Sequence, residues 1–231
     1  MIKDKQNVDE HSKEYYDDFK QIEDAKRASN HDLLLLFGVP IYHSVAEYKF
    51  NKEELDFITN QKTRPNGKNF TSQNSYVLDA EPMVKIKEHL NTQLRVYFEG
   101  HLNYDKSNGL KITQSWANYT AHGQEHHLHY HKNSVVSGVF YVNYPTPIGF
   151  YGDDIWHFKH FGLKKRLDTH NVLNSDSWQI QPGVGSTILF PSSLKHKVDF
   201  NSSNDTRISI AFNTWFKGDF GEENHLTKVK L

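Results

Sequence analysis

The stretch His127-Leu128-His129-Tyr130-His131 spaces three imidazoles two residues apart. In a strand, alternate side chains point to one face, so His127, His129 and His131 would stand in a row, two neighbours close enough to hold one metal ion. Far downstream His196 opens another strand candidate, and Arg207 opens the next after ten intervening residues. In that last strand Arg207, Ser209, Ala211 and Asn213 share one face, suited to a polar pocket. Ile208, Ile210, Phe212 and Phe216 lie on the other, suited to packing beneath helices. The chain has no cysteine, which excludes thiolate metal sites, disulfides and cysteine nucleophiles. Fifteen histidines make chance clustering expected, so spacing is the criterion. His122, His126, His157, His160 and His170 lack a partner spacing and are read as non-ligands. Glu125 shares the parity of the row but sits too far upstream to serve as a carboxylate ligand.

The elements that must hold these residues follow from periodicity. From Leu110 onward the apolar period is two, with strand candidates at Lys111–Tyr119, Gln124–His131, Val135–Tyr144, Ser177–Gln181, Ser186–Pro191, His196–Asn201 and Arg207–Phe216. Upstream, Asn51 with Glu54 forms a capping-box pattern for a helix over Lys52–Thr59. A second helix is expected from a cap at Asp79 to a stop at Gly100, with Met83, Ile86, Leu90, Leu94 and Tyr97 as one apolar stripe. A polar helix is expected over Ser12–Ala28 and a buried strand within Asp32–His43, while residues 60–75 read as loop. Helices first and strands afterwards give an α+β layout, mainly β, a sandwich or barrel backed by helices. Residues 148–176 are too long for a hairpin connection and are expected to form a lid or binding loop. The domain expectation is a polar extension over 1–30 and one domain over 31–231, its β core at about 110–217.

Formal net charge is −1, from 27 basic and 28 acidic residues, which argues against a nucleic-acid partner. The first residues lack the apolar stretch of a signal peptide, and no apolar run is long enough for a membrane span. With the missing cysteines, these features lead to a cytoplasmic expectation.

A histidine pair two apart, a distant third histidine and an arginine one strand later resemble the 2-oxoglutarate and Fe(II)-dependent oxygenases, whose pattern is His-x-Asp/Glu, then His, then Arg or Lys. The likeness covers about Ser115 to Phe216 and is nearest the prolyl-hydroxylase-like branch. There His129-Tyr130-His131 matches the His-x-Asp, and Val139-Phe140-Tyr141-Val142-Asn143 matches a Tyr-Tyr-Leu-Asn-like strand. The resemblance implies a double-stranded β-helix, of jelly-roll or cupin-like form. It implies Fe(II) on His129, His131 and His196, and 2-oxoglutarate held by Arg207, Tyr141 and Ser209, with Tyr119 as a further contact. It also implies hydroxylation of a small amino-acid-like molecule or a peptidyl side chain, with release of succinate and CO2. The family register selects His129 and His131 and makes His127 a neighbour. One departure stands out, because His131 occupies the position of the acidic ligand and leaves the metal centre one charge unit more positive. Two other classes fit the same residues: a three-histidine cupin-like metal protein that does not use 2-oxoglutarate, and a non-catalytic binding module with a lid at 148–176. The alkylation-repair branch is disfavoured, since Asn213 stands where it carries a second arginine. Substrate and oligomeric state stay open at the level of sequence.

Overall fold

The computed structural model describes residues 17, 20–22, 24–25, 27–28, 38–44, 48–143, 146–152, 171–172 and 175–230. The chain divides into two compact units, Met1–Gly38 and Val39–Leu231. In the first, the described residues between 17 and 28 are helical and exposed, in keeping with the polar helix expected there.

The second unit runs β1 (Tyr42–Ser44), α1 (Lys52–Thr59), β2 (Thr63–Asn66), β3 (Asn69–Ser72), α2 (Val84–Arg95), β4 (Gly109–Thr120), β5 (His126–His129) and β6 (Val136–Asn143). It continues with β7 (Ile148–Tyr151), β8 (Ser177–Ile180), β9 (Thr187–Pro191), β10 (Lys195–Val198) and β11 (Arg207–Lys217). From β4 onward the strands are shared between two antiparallel sheets. The larger has the order β1-β9-β6-β11-β4-β3-β2, and the smaller β5-β10-β7-β8. Taking β4 to β11 as eight strands, the last returns beside the first in one sheet while the seventh returns beside the second in the other. That is the jelly-roll order of a double-stranded β-helix, as expected, though the two sheets do not close into a barrel among the described residues.

One face of the large sheet carries the helices. Met83, Ile86, Leu90, Leu94 and Tyr97, at most 2% exposed, pack with Ala117, Tyr119, Ile208, Ile210, Phe212, Phe140 and Leu189. Each such side chain contributes about 1.5–3 kcal/mol by leaving water. A methyl group on Gly138 would stand 2.1 Å from the Phe212 ring, so glycine is needed there for β6 to lie flat against that aromatic. A smaller apolar cluster joins the sheets from within: Tyr141, Ile188 and Phe190 of the large sheet meet Ile148, Phe150 and Val198 of the small one.

Several sequence expectations are revised by local chemistry. The α1 capping box forms as read, Asn51 and Glu54 each accepting the other's backbone N–H. Asp79 caps nothing. Its carboxylate takes Lys87 Nζ at 2.6 Å, two 3-10 turns intervene, and α2 starts at Val84 with no side-chain cap. At its other end α2 widens into a π-helical segment, Val96–His101, and passes through Gly100 rather than stopping there. Residues 60–75, expected as loop, contain the β2–β3 hairpin, turning at Gly67 with φ of +63°. The polar residues of β3 serve the sheet, while β2 faces solvent: Thr71 Oγ1 donates to the Ala117 carbonyl, and the Ser72 hydroxyl accepts from the Ala117 N–H. The stretch expected as a lid opens with β7, while 153–170 and 173–174, including His157, His160, His170 and the Lys164–Arg166 charge run, lie outside the described residues. No described helix is long and apolar enough to cross a membrane.

Candidate metal centre

The three-histidine row does not form as alternation predicts. On β10, His196 pairs with His129 and Val198 with His126, so two steps on one strand match three on the other. This bulge puts an extra residue into β5 and reverses side-chain parity across it. His126 therefore turns inward and stacks on His129, with ring centroids 4.5 Å apart and planes at 17°. His127 turns out and is exposed beside Gly67. His126, read as lacking any relevant spacing, lines the cavity between the sheets with His129, His131, His196, Asn118 and Arg207. No alternation rule could find it without the partner strand.

His129, His131 and His196 do come together. Their ligand nitrogens lie within 4.8 Å of one another, and their ring centroids are 4.3 to 5.2 Å apart. The opposite nitrogens are already engaged. Nδ1 of His129 meets the His127 carbonyl at 2.8 Å, Nδ1 of His196 meets the Leu194 carbonyl at 2.9 Å, and Nδ1 of His131 meets Asn213 Oδ1. Each partner is an acceptor, so each ring carries its proton on Nδ1 and keeps the Nε2 lone pair free for a metal. Metal-binding histidines are characteristically oriented in this way. Burial pushes His129 down to about 4 and His196 down to about 3, and it also lowers His131. At neutral pH all three are in the uncharged, ligating form. Trp116 lies over the His131 ring and Phe190 meets the His196 ring edge-on, walling the group from the sides. Asn213 holds the ring that replaces the expected acid. Its Oδ1 also accepts from Ser137, which is bonded to Ser192 and Ser192 to Ser134, a hydroxyl chain that fixes the amide. Position on the Arg207 face is the signal the sequence carries for Asn213, and it does not specify the supporting role. A second set, His126, His127 and His129, also brings ligand atoms within 4.8 Å, but it shares His129 and includes an exposed member.

Across the cavity, Arg207 is 1% exposed and its guanidinium carbon lies 5.5 Å from the centre of the Tyr141 ring. Among the described residues no carboxylate pairs with it, and Arg207 Nε, Tyr141 Oη and Ser209 Oγ are all buried without a hydrogen-bond partner. Desolvation lowers the arginine from its ordinary value, yet a guanidinium stays charged in a protein. Burial raises the Tyr141 hydroxyl to about 12 against the pull of that charge, which keeps it a neutral donor. An uncompensated buried cation is costly, and each unmatched polar atom costs about 1–3 kcal/mol. An anionic oxygen ligand would satisfy all three donors, so the donor set fits a carboxylate as the imidazoles fit a divalent metal. Tyr119 is not part of this group. It pairs with Ile208 on the other face of the sheet, and its hydroxyl donates to the Ile58 carbonyl beneath the helices. The cavity positions on β4 belong instead to Trp116 and Asn118, one residue out of phase with the expectation.

Residues 114–213 match the profile of the family described as "Putative 2OG-Fe(II) oxygenase". No curated protein matches the chain. Among solved structures, the chain is similar to the non-heme alpha ketoglutarate dependent epimerase SnoN from nogalamycin biosynthesis, at 11% identity and a TM-score of 0.52, covering 76% of this chain and 78% of that one. It is also similar to HygX from Streptomyces hygroscopicus, solved with nickel and 2-oxoglutarate bound, at 13% identity and a TM-score of 0.50, covering 76% and 82%. At such identities the likeness concerns the fold.

Proposed function

We propose that this chain, whose residues 114–213 form the core of a 2-oxoglutarate and Fe(II)-dependent oxygenase, hydroxylates a small amino-acid-like molecule or a peptidyl side chain. The reading rests above all on one observation: three imidazoles, one buried and two half-buried, with Nδ1 engaged and Nε2 left free, line one cavity with a buried arginine that no carboxylate among the described residues balances. In it, His129, His131 and His196 hold the metal on one side, and Arg207, Tyr141 and Ser209 hold the distal carboxylate of 2-oxoglutarate. Bound Fe(II) supplies the oxygen activation by which substrate, 2-oxoglutarate and O2 become hydroxylated substrate, succinate and CO2.

The residues do the positioning. The Nδ1–H bonds of the histidines keep the ring planes fixed, so that metal binding orders little that is not already ordered. Arg207 and the Tyr141 hydroxyl, both buried, offer charge-assisted hydrogen bonds where the low local dielectric strengthens them. Trp116 and Phe190 keep solvent away from two of the rings. The imidazole of His131, in place of an acid, leaves the centre more positive by one unit and strengthens its attraction for a dianionic co-substrate.

The test is an anaerobic titration with Fe(II) and then 2-oxoglutarate, followed by visible absorption and by succinate release on admitting O2. A weak visible band and stoichiometric succinate are expected. A folded, iron-loaded protein that gives neither would overturn the reading. Succinate formation that survives Arg207→Gln unchanged would remove the carboxylate-anchor role.

A further inference from the structure

Among the described residues, ten buried side-chain polar atoms lack a hydrogen-bond partner, and seven of them lie on the cavity face of the large sheet. Three belong to Arg207, Tyr141 and Ser209. The other four are Asn118 Oδ1, Thr120 Oγ1 and both amide atoms of Asn69. Asn69 is 1% exposed, Thr120 fully buried, and Asn69 lies outside the family-matched segment, on the β2–β3 hairpin.

The sheet register shows where these atoms point. Phe70 pairs with Tyr119 and Thr71 with Asn118. The next rung sets Asn69 beside Thr120, and Thr120 pairs with Arg207 on the following strand. Directly opposed residues share a face, with Cβ atoms about 4.5–5.5 Å apart. Asn69, Thr120 and Arg207 therefore form one polar row across three strands, next to a second row through Asn118 and Ser209 to Tyr141. Phe70 and Tyr119 leave by the opposite face. The hairpin tip is also tied to the strand bearing the histidines. Lys68 Nζ meets Glu125 at 2.5 Å, Asn66 Nδ2 approaches His126 Nε2 at 3.4 Å, and the Gly67 backbone packs on the His127 ring. Both sheets thus hold Asn69 in place, yet neither gives its amide a partner.

We propose that Asn69 and Thr120 are co-substrate-positioning residues, extending the Arg207 anchor so that the distal carboxylate of a 2-oxo diacid is gripped from the hairpin side as well. This rests on the reading of Arg207 as a carboxylate anchor. The carboxylate accepts from the Asn69 amide N–H, the Thr120 hydroxyl and Arg207, which take three of about four lone-pair sites on its two oxygens and leave one for Tyr141 or Ser209. A residue kept only for folding would have had its amide satisfied within the protein. An amide left unmatched in a buried wall, on the row of an arginine whose Nε is also unmatched, is matched by what enters.

Two variants test this, Asn69→Leu and the isosteric Thr120→Val, each measured by calorimetric titration of 2-oxoglutarate into Zn(II)-loaded protein and by thermal midpoint without ligand. The expected result is a dissociation constant raised roughly tenfold or more for Asn69→Leu, and less for Thr120→Val. The unliganded midpoint should hold or rise, because an apolar group replaces an unmatched polar one. Discrimination between 2-oxoglutarate and 2-oxobutanoate, which lacks the distal carboxylate, should narrow in both variants. Unchanged affinity with a lowered midpoint would overturn the proposal and make Asn69 structural. If Asn69→Leu fails to fold, Thr120→Val decides alone. Arg207→Gln in parallel separates the two claims: lost binding there with normal binding in both variants overturns only the positioning role. Normal binding in Arg207→Gln overturns the anchor itself.

Discussion

The two faces of the large sheet are made by the same strands and have opposite energetics. On β11, Ile208, Ile210 and Phe212 enter a dry apolar layer beneath the helices, while Arg207, Ser209, Ala211 and Asn213 alternate with them toward the cavity. β4 repeats the division, with Ala117 and Tyr119 on one side and Trp116, Asn118 and Thr120 on the other. Side chains on the helix face are mostly apolar and packed, with His89 Nε2 and Thr187 Oγ1 as unmatched polar atoms among the described residues. Those on the cavity face include most of the unmatched buried polar atoms among the described residues. Apolar packing is therefore concentrated on one face of the sheet and unmatched polar groups on the other, and a single-residue register slip would exchange them.

Substitutions can break that division, and the largest effect belongs to the dry face. Phe212→Ala should cost ~3–5 kcal/mol of stability, read from urea unfolding, because it empties a site against Gly138. The 2-oxoglutarate affinity of the fraction that remains folded should be unchanged, and a parallel loss of affinity would show the faces to be coupled. Arg207→Gln is the mirror case. Affinity for 2-oxoglutarate should fall by the equivalent of ~2–5 kcal/mol in calorimetry, while the unliganded thermal midpoint holds or rises. Asn213→Leu should lower metal affinity by about 10–100-fold in a competition titration, because His131 loses the acceptor that sets its proton on Nδ1. Leu is chosen to keep volume, so a large stability loss would assign Asn213 to folding instead.

Acid should act most strongly on the cavity face, although burial also lowers His89 and His43 elsewhere. His129 and His196 are lowered to about 4 and about 3 in the folded chain, against 6.5 for an unperturbed imidazole. Between these values the unfolded chain binds protons that the folded chain refuses, so stability of the metal-free protein falls as pH drops from about 6.5 toward 4. Urea midpoints across that range should decline in the wild type and decline less steeply in a His129→Ala, His196→Ala double variant, in which His126, His131 and His89 still resist protonation. The smallest effect is expected at Asp79→Ala. Its pair with Lys87 is solvent-exposed and it caps no helix, so a change within about 1 kcal/mol is expected, and a larger one would restore the capping role.

Much of this division could be read from residue order. The stripe Met83, Ile86, Leu90, Leu94 and Tyr97, the alternation along β11, and the association of His129, His131, His196 and Arg207 follow from periods of 3.6 and 2, which depend only on local backbone geometry. The legible part ends where two strands must agree. Tyr119 and Asn118 differ by one residue, and only pairing with Ser209 puts Asn118 in the cavity. His126 and His127 exchange places because β10 is one residue short opposite β5. The β2–β3 hairpin was hidden by its polarity, since polar residues are read as solvated unless a cavity is known to receive them.

By itself, then, the sequence determined the fold class, the dry face and the histidines and arginine that meet across the sheets, because these rest on short-range periodicity and residue chemistry. Tertiary structure alone decided which neighbour of each pair faces inward, which acceptors hold the imidazoles, and that Asn69 shares the face of Arg207. Those outcomes depend on register between strands far apart in the chain, and no local pattern encodes register.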